Sequence, residues 1–279
     1  MSKISTSLFL GIAAAFLMAG CASTSFIINR GAFCEDLAVK NGFTKEIIRT
    51  DDFTLLAYTR FREKGGPVNI YIEGDGLAWK SRSRLSEDPT PKNTLVVELA
   101  SIDPAPNIAY LARPGQYIFS GASVCDSAYW SDKKFSEEVI GSMNEAVEHL
   151  KIKSGAKSVN IIGYSGGAAV GVLIAARRGD VASLRTIAGN LDPDSLNRYH
   201  HVSVSAGSLN PIDFAKTVSN TPQRHFIGSA DKTVPAFIAE SFAERAGDVS
   251  HKRVTKVEGA THGTGWREEW LKLLSVPPQ

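Results

Sequence analysis

Apolar and polar positions along the chain follow two rhythms. Over 43–61 they alternate, through Ile47-Ile48 and Leu55-Leu56-Ala57-Tyr58 with Asp51-Asp52 between. Alternation on both sides of a polar turn predicts an antiparallel hairpin. Downstream, the apolar positions gather into short continuous runs at 68–72, 108–112, 159–163, 184–188, 224–227 and 253–257, the pattern of strands buried on both faces. Helical spacing lies between several of them. After Ser136, with Glu137 and Glu138 suited to a helix N-terminus, Val139, Ile140, Met143, Val147 and Leu150 recur at three- and four-residue intervals, and Gly155 offers the stop. Residues 166–178 are almost wholly small and apolar, as a helix pressed on a sheet must be, and 237–245 and 266–274 complete the set. Strands alternating with helices predict an α/β fold: a mainly parallel sheet with helices on both faces and the hairpin as its antiparallel edge. No internal repeat or low-complexity tract interrupts this order. Segments 76–93 and 191–211 lack periodicity, and long irregular segments in a compact domain are more often functional than accidental.

Composition narrows the class. Of 279 residues, 43% are hydrophobic and 22% charged, with 31 Lys+Arg against 29 Asp+Glu. This is globular composition, without the basic stripe of a nucleic-acid binder. The N-terminus reads as a targeting segment: Lys3, then an apolar stretch from Leu8 to Gly20, ending Leu17-Met18-Ala19-Gly20-Cys21. The stretch is shorter than the about 20 residues a membrane-spanning helix needs. A cysteine directly after Ala19-Gly20 resembles the bacterial lipobox, which implies a signal peptide at 1–20, lipidation of Cys21, a tether at 21–32 and one domain from 33 to 279, with a small cap region around 191–211. An ordinary secretory signal is the alternative. A lipid anchor at Cys21 would attach the protein to the cell envelope of a bacterium, and Ala22 resembles the outer-membrane sorting preference, facing the periplasm. Cys34 and Cys125 are then an even pair in an oxidising compartment, so they are candidates for a disulfide or are two free thiols. Neither has metal-ligand spacing, and no cofactor is expected.

The strongest chemical signal is Val159-Asn160-Ile161-Ile162-Gly163-Tyr164-Ser165-Gly166-Gly167. A buried strand runs into Gly-x-Ser-x-Gly and out into a small-residue helix; a serine on such a sharp turn is exposed, and the flanking glycines relieve crowding. Phosphate binding is a poorer use of this turn, because no Gly-Lys-Ser/Thr follows, and Trp79 fails the dinucleotide pattern at Gly74-Asp75-Gly76. A serine nucleophile needs a base. Of six histidines only His262, in Glu258-Gly259-Ala260-Thr261-His262-Gly263, follows a strand and precedes a terminal helix. Asp231, after the preceding strand, is the favoured acid to orient it, and Asp192 is the alternative. Oxyanion donors are expected from the backbone of Gly166 and from the Glu73-Gly74-Asp75-Gly76 loop.

Taken together, these residues resemble the α/β-hydrolase superfamily over nearly the whole chain after Cys21. The resemblance implies Ser165 as nucleophile, His262 as base, Asp231 as acid, and Asp75 with Gly166 as oxyanion donors. More narrowly, Tyr71-Ile72-Glu73-Gly74-Asp75-Gly76, Arg113-Pro114-Gly115-Gln116-Tyr117 and Phe135-Ser136-Glu137-Glu138-Val139 resemble exported bacterial lipoprotein hydrolases without an assigned substrate. Many esterases of this fold carry His-Gly where this chain has Glu73-Gly74, so the oxyanion loop is expected to be held differently. The function implied is hydrolysis of a small acyl ester through an acyl-enzyme. An amide or peptide hydrolase with the same triad, and a non-catalytic envelope binding protein, are the alternatives. Trp79, Tyr117, Tyr129, Trp130 and Tyr199 are candidate pocket aromatics, and Lys80, Arg82 and Arg84 candidate contacts for an anionic substrate.

Overall fold

The computed structural model describes residues 21–117 and 125–279, with side chains from residue 30 onward. Residues 1–20, expected to be a signal peptide, and the side chain of Cys21 lie outside the described residues. The chain runs α1 (Cys21–Lys40), β1 (Thr44–Arg49), β2 (Thr54–Phe61), β3 (Val68–Ile72), β4 (Trp79–Ser81), β5 (Arg84–Leu85), α2 (Leu95–Ile102) and β6 (Asn107–Leu111). It continues through α3 (Glu137–Ser154), β7 (Val159–Tyr164), α4 (Gly166–Ala175), β8 (Val181–Ile187), α5 (Pro193–Tyr199), β9 (Gln223–Gly228), α6 (Ala236–Arg245), β10 (Val254–Val257) and α7 (Trp266–Ser275).

Eight strands form one sheet in the order β1-β2-β6-β3-β7-β8-β9-β10. The pairings β1 with β2 and β2 with β6 are antiparallel, and every later pairing is parallel. The alternation over 43–61 is therefore the β1–β2 hairpin at one edge, and the continuous apolar runs are the strands of the parallel part of the sheet, covered on both faces in its middle and partly exposed at the β10 edge. Along β2, Leu55 and Ala57 belong to one core and Leu56 and Tyr58 to the other. The first core holds α3, α4 and α6, and the second holds α1, α2 and α7. Helix α3 starts where Ser136 accepts the Val139 N–H and ends at Gly155 with φ 70°. Of the two aperiodic segments, 76–93 carries the small β4–β5 hairpin and 191–211 carries α5.

Residues 21–32, expected as a tether, are helical in their backbone, and Arg30 is docked on the domain: it pairs with Asp88 at 2.5 Å and donates to the Thr90 carbonyl at 2.6 Å, while Cys34 and Ala38 are buried further along the same helix. Of the two alternatives for Cys34 and Cys125, the structure has the free thiols and not the disulfide. Cys34 sits in the core on one side of the sheet and Cys125 packs against the core on the other, so the sheet itself separates the thiols.

Helix α7 anchors the second core through Trp270, which is fully buried, donates to the Tyr71 hydroxyl at 3.1 Å and meets Tyr71 and Phe226 edge-on. Trp270→Ala should lose about 3–5 kcal/mol of stability, read as a lowered midpoint in urea. Unfolding without reductant followed by alkylation and peptide mass analysis should find the label on both Cys34 and Cys125.

Candidate active site

Strand β7 delivers Ser165 to the carboxyl end of the sheet, where α4 begins. Its backbone is held at φ 51°, ψ −117°, a conformation that costs energy in a residue with a Cβ and survives only where the surroundings impose it. They do so by contact. A Cβ at Gly163 would collide with the Gly167 and Ala168 backbone, and one at Gly167 would collide with the Ile72 and Glu73 carbonyls. The Ser165 N–H donates to Ile187 O at 2.9 Å, and Ser165 O accepts from Asn190 N and Ala168 N. The turn is thus clamped between β3 and β8.

His262 lies between β10 and α7. Its Nε2 is 3.0 Å from Ser165 Oγ and its Nδ1 is 2.9 Å from Asp231 Oδ2. With Nδ1 protonated, the imidazole donates to Asp231 and accepts from the serine hydroxyl. Asp231 has a fully buried side chain, and its other oxygen accepts from Thr233 N at 2.8 Å and Val234 N at 2.9 Å. Burial would raise this carboxyl, but hydrogen bonds from His262, Val234 and Thr233 outweigh it and hold the group below its ordinary value. Asp192 is engaged elsewhere: it caps α5 through Ser195 N at 3.1 Å and accepts from Asn210 at 3.0 Å.

The loop after β3 carries two acids in opposite conditions. Burial pushes the Glu73 carboxyl up to about 7, although Gly74 N and the Tyr110 hydroxyl each donate to it at 2.9 Å. Burial also acts on Asp75, but Lys134 and Arg113 overcome it and hold Asp75 down to about 2. Arg113 reaches Asp75 Oδ1 at 2.7 Å and Lys134 reaches Oδ2 at 2.7 Å. Gln116 ties the loop to the same segment, donating to Gly74 O at 2.9 Å and accepting from Arg113 N at 3.0 Å. Among the described residues, neither the Asp75 nor the Gly166 backbone N–H has a protein acceptor.

Ser165 and His262 open on a cleft of about 370 Å³ lined also by Glu73, Asp75, Leu77, Asn93, Tyr164 and Thr233. A second cleft of about 260 Å³ adjoins it, sharing Pro91, Lys92 and Asn93 and adding Arg30, Phe33 and Tyr117. Of the five candidate pocket aromatics only Tyr117 reaches either of these clefts. Trp130 is buried and donates to Ser86 O, Tyr129 meets Phe53 edge-on, and Trp79 and Tyr199 face solvent. Lys80 pairs with Glu87, and Arg82 donates to His200 O, so these cations serve the loop. Among the described residues no group of three His, Cys, Asp or Glu could hold a metal.

Residues outside the motifs complete the site. The His262 carbonyl accepts from Tyr164 Oη at 2.9 Å and Trp266 Nε1 at 3.1 Å, which fixes the histidine loop from below. Lys134 carried no signal in the sequence, because the carboxylate its ammonium pairs with, Asp75, is 59 residues away.

No protein-family model matches this chain, and no curated protein matches it by sequence. Solved structures do. An esterase of Pyrococcus furiosus, Pf2001, superposes with a TM-score of 0.61 at 15% identity over 86% of this chain and 91% of that one. The α/β hydrolase GrgF from a Penicillium species gives 0.60 at 13% identity over 83% and 94%. The chain has the α/β-hydrolase fold. Est1E from Butyrivibrio proteoclasticus gives 0.59 at 16% identity over 82% of this chain and 95% of that one. At such identities the likeness extends to the fold alone. In this chain the turn at Ser165, the acid turn and the histidine loop meet at the carboxyl end of the sheet, where open α/β sheets bind ligands.

The Glu73 shift makes a prediction about pH. Between about 4.5, the ordinary value of its carboxyl, and about 7, the folded chain keeps a proton that the unfolded chain has lost, so the contribution of Glu73 to stability falls as pH rises through that window. Glu73→Gln should remove that slope. Urea unfolding at pH 5 and pH 8 should find the variant gaining on the wild type by on the order of 1–3 kcal/mol at the higher pH.

Proposed function

We propose that this protein is a serine hydrolase that cleaves carboxylic esters. The observation that carries the reading is the unbroken contact line from Ser165 Oγ through His262 to the buried carboxylate of Asp231, at the wall of an open cleft. Ser165 Oγ attacks the ester carbonyl carbon, the carbonyl π pair moves onto oxygen, and the serine proton passes to His262 Nε2. Asp231 stabilises the resulting imidazolium. Collapse of the tetrahedral adduct expels the alcohol, which takes the proton from His262, and water activated by the same imidazole then releases the acid. The backbone N–H groups of Gly166 and Asp75 are the oxyanion donors in this reading, supported by their free hydrogens beside the serine. The adjoining cleft supports a substrate with a second arm beyond the acyl group. The lipobox-like run at 17–21 supports export and lipid anchoring through Cys21 at a bacterial envelope, facing the periplasm.

A fluorophosphonate probe tests the reading. Labelling of the wild type that vanishes in Ser165→Ala is the expected result, and unlabelled, folded wild type would overturn it. Asp231→Asn should lower kcat by about 10³–10⁴-fold with little change in KM, because the imidazole loses its orienting partner, measured on p-nitrophenyl esters from acetate to palmitate. The same panel run against matched anilides separates ester from amide preference.

A further inference from the structure

Resting on the serine-hydrolase reading, we propose that Arg113 and Lys134 are positioning residues. Their ion cluster with Asp75 aims the Asp75 backbone N–H at the reacting carbonyl and cancels a carboxylate that would otherwise oppose the oxyanion.

The loop needs such a device because of its sequence. Asp75 stands between Gly74 and Gly76, and two glycines leave the intervening peptide units free to turn. Neighbouring contacts hold the loop on both sides of Asp75: Gln116 binds Gly74 O, Glu73 is tied to Gly74 N and to Tyr110, and Leu77 N donates to Pro89 O at 3.0 Å. Between these fixed points the contacts that hold Asp75 itself are those of its side chain. Each carboxylate oxygen has its own cation, Arg113 on Oδ1 and Lys134 on Oδ2, both at 2.7 Å, so the carboxylate plane is fixed at two points. The cluster is built into the protein. The Arg113 side chain is 4% exposed and that of Lys134 18%. Arg113 also donates to Lys134 O at 2.5 Å, and both cations lie 5.1 Å from the ring of Phe135, which is fully buried.

Electrostatics explains why two cations serve one acid. A Cβ at Gly166 would land on Asp75 Oδ1, so this carboxylate packs directly on the residue that follows the nucleophile. A lone negative charge there would raise the energy of an adjacent oxyanion, since like charges a few ångströms apart repel strongly in a partly desolvated site. Two cations against one anion turn the local sign positive. The loop thereby receives a geometric anchor and a favourable field from the same three side chains, where a neutral anchor would supply geometry alone.

The test uses the full chain with Asp75→Asn, Lys134→Met and Lys134→Arg, a short p-nitrophenyl ester, and a trifluoromethyl ketone whose serine adduct carries the same oxyanion. Asp75→Asn and Lys134→Met should lower kcat by about 10- to 100-fold, the scale of a displaced catalytic group, and weaken the ketone by a similar factor. KM and thermal midpoint should stay near wild type, and Lys134→Arg should recover most of the loss. Folded variants with wild-type kcat and wild-type ketone affinity would overturn the proposal, as would a KM rise and a fall in thermal midpoint that account for the whole loss. Should Asp75→Asn not fold, the Lys134 pair decides. Failure of the wild type to react with a fluorophosphonate at Ser165 would sink the hydrolase reading instead, whereas wild-type labelling rates in the variants would sink the cluster alone.

Discussion

The site depends on one close approach of backbone to backbone. The turn at Ser165 is pressed between β3 and the start of α4 so tightly that Gly163 and Gly167 have no room for a Cβ. That contact holds Ser165 at positive φ and sets its hydroxyl clear of the sheet. It also brings the loop after β3 against the residue following the serine, so Ser165 and the Glu73–Asp75 loop are positioned by the same packing. A substitution that loosened the contact would disturb both together.

Around that contact the sheet supplies rigidity in proportion to its burial. Parallel strands covered on both faces leave their carboxyl ends as the open edge of the structure, and each functional loop leaves one of those ends. The acid turn and the histidine loop are joined directly, Ser229 N to Val257 O at 3.0 Å and Ala230 N to Ala260 O at 2.9 Å. Asp231 and His262 therefore move as one body. Tyr164, next to the serine in the chain, reaches across to the His262 carbonyl and couples that body to the elbow.

The two acids of the Glu73–Asp75 loop illustrate how environment, not residue type, decides charge. Glu73 is buried and Asp75 partly so. Glu73 has only neutral donors and is raised to about 7, whereas Asp75 has two cations and is held at about 2. The carboxylates proposed and set aside for the triad differ in partner and not in charge: both are held below their ordinary value, Asp231 bound by the imidazole and Asp192 by the turn it caps.

The sequence by itself determined the main strands and four of the helices, the turn at Ser165 and His262 and Asp231 as candidates beside it, because these rest on local periodicity, on glycine spacing and on position after a strand; α2, α5 and the β4–β5 hairpin lie where no periodicity marks them. It could not separate Asp231 from Asp192 except by chain order, since both follow strands; the direction of each side chain depends on loops that pack only in the folded state. Nor could it reveal that 21–32 is helical, that the sheet divides Cys34 from Cys125, or that Lys134 meets Asp75. Each of those facts joins or separates residues remote along the chain. Periodicity reports the face on which a residue lies, and only the packed fold decides what that face meets.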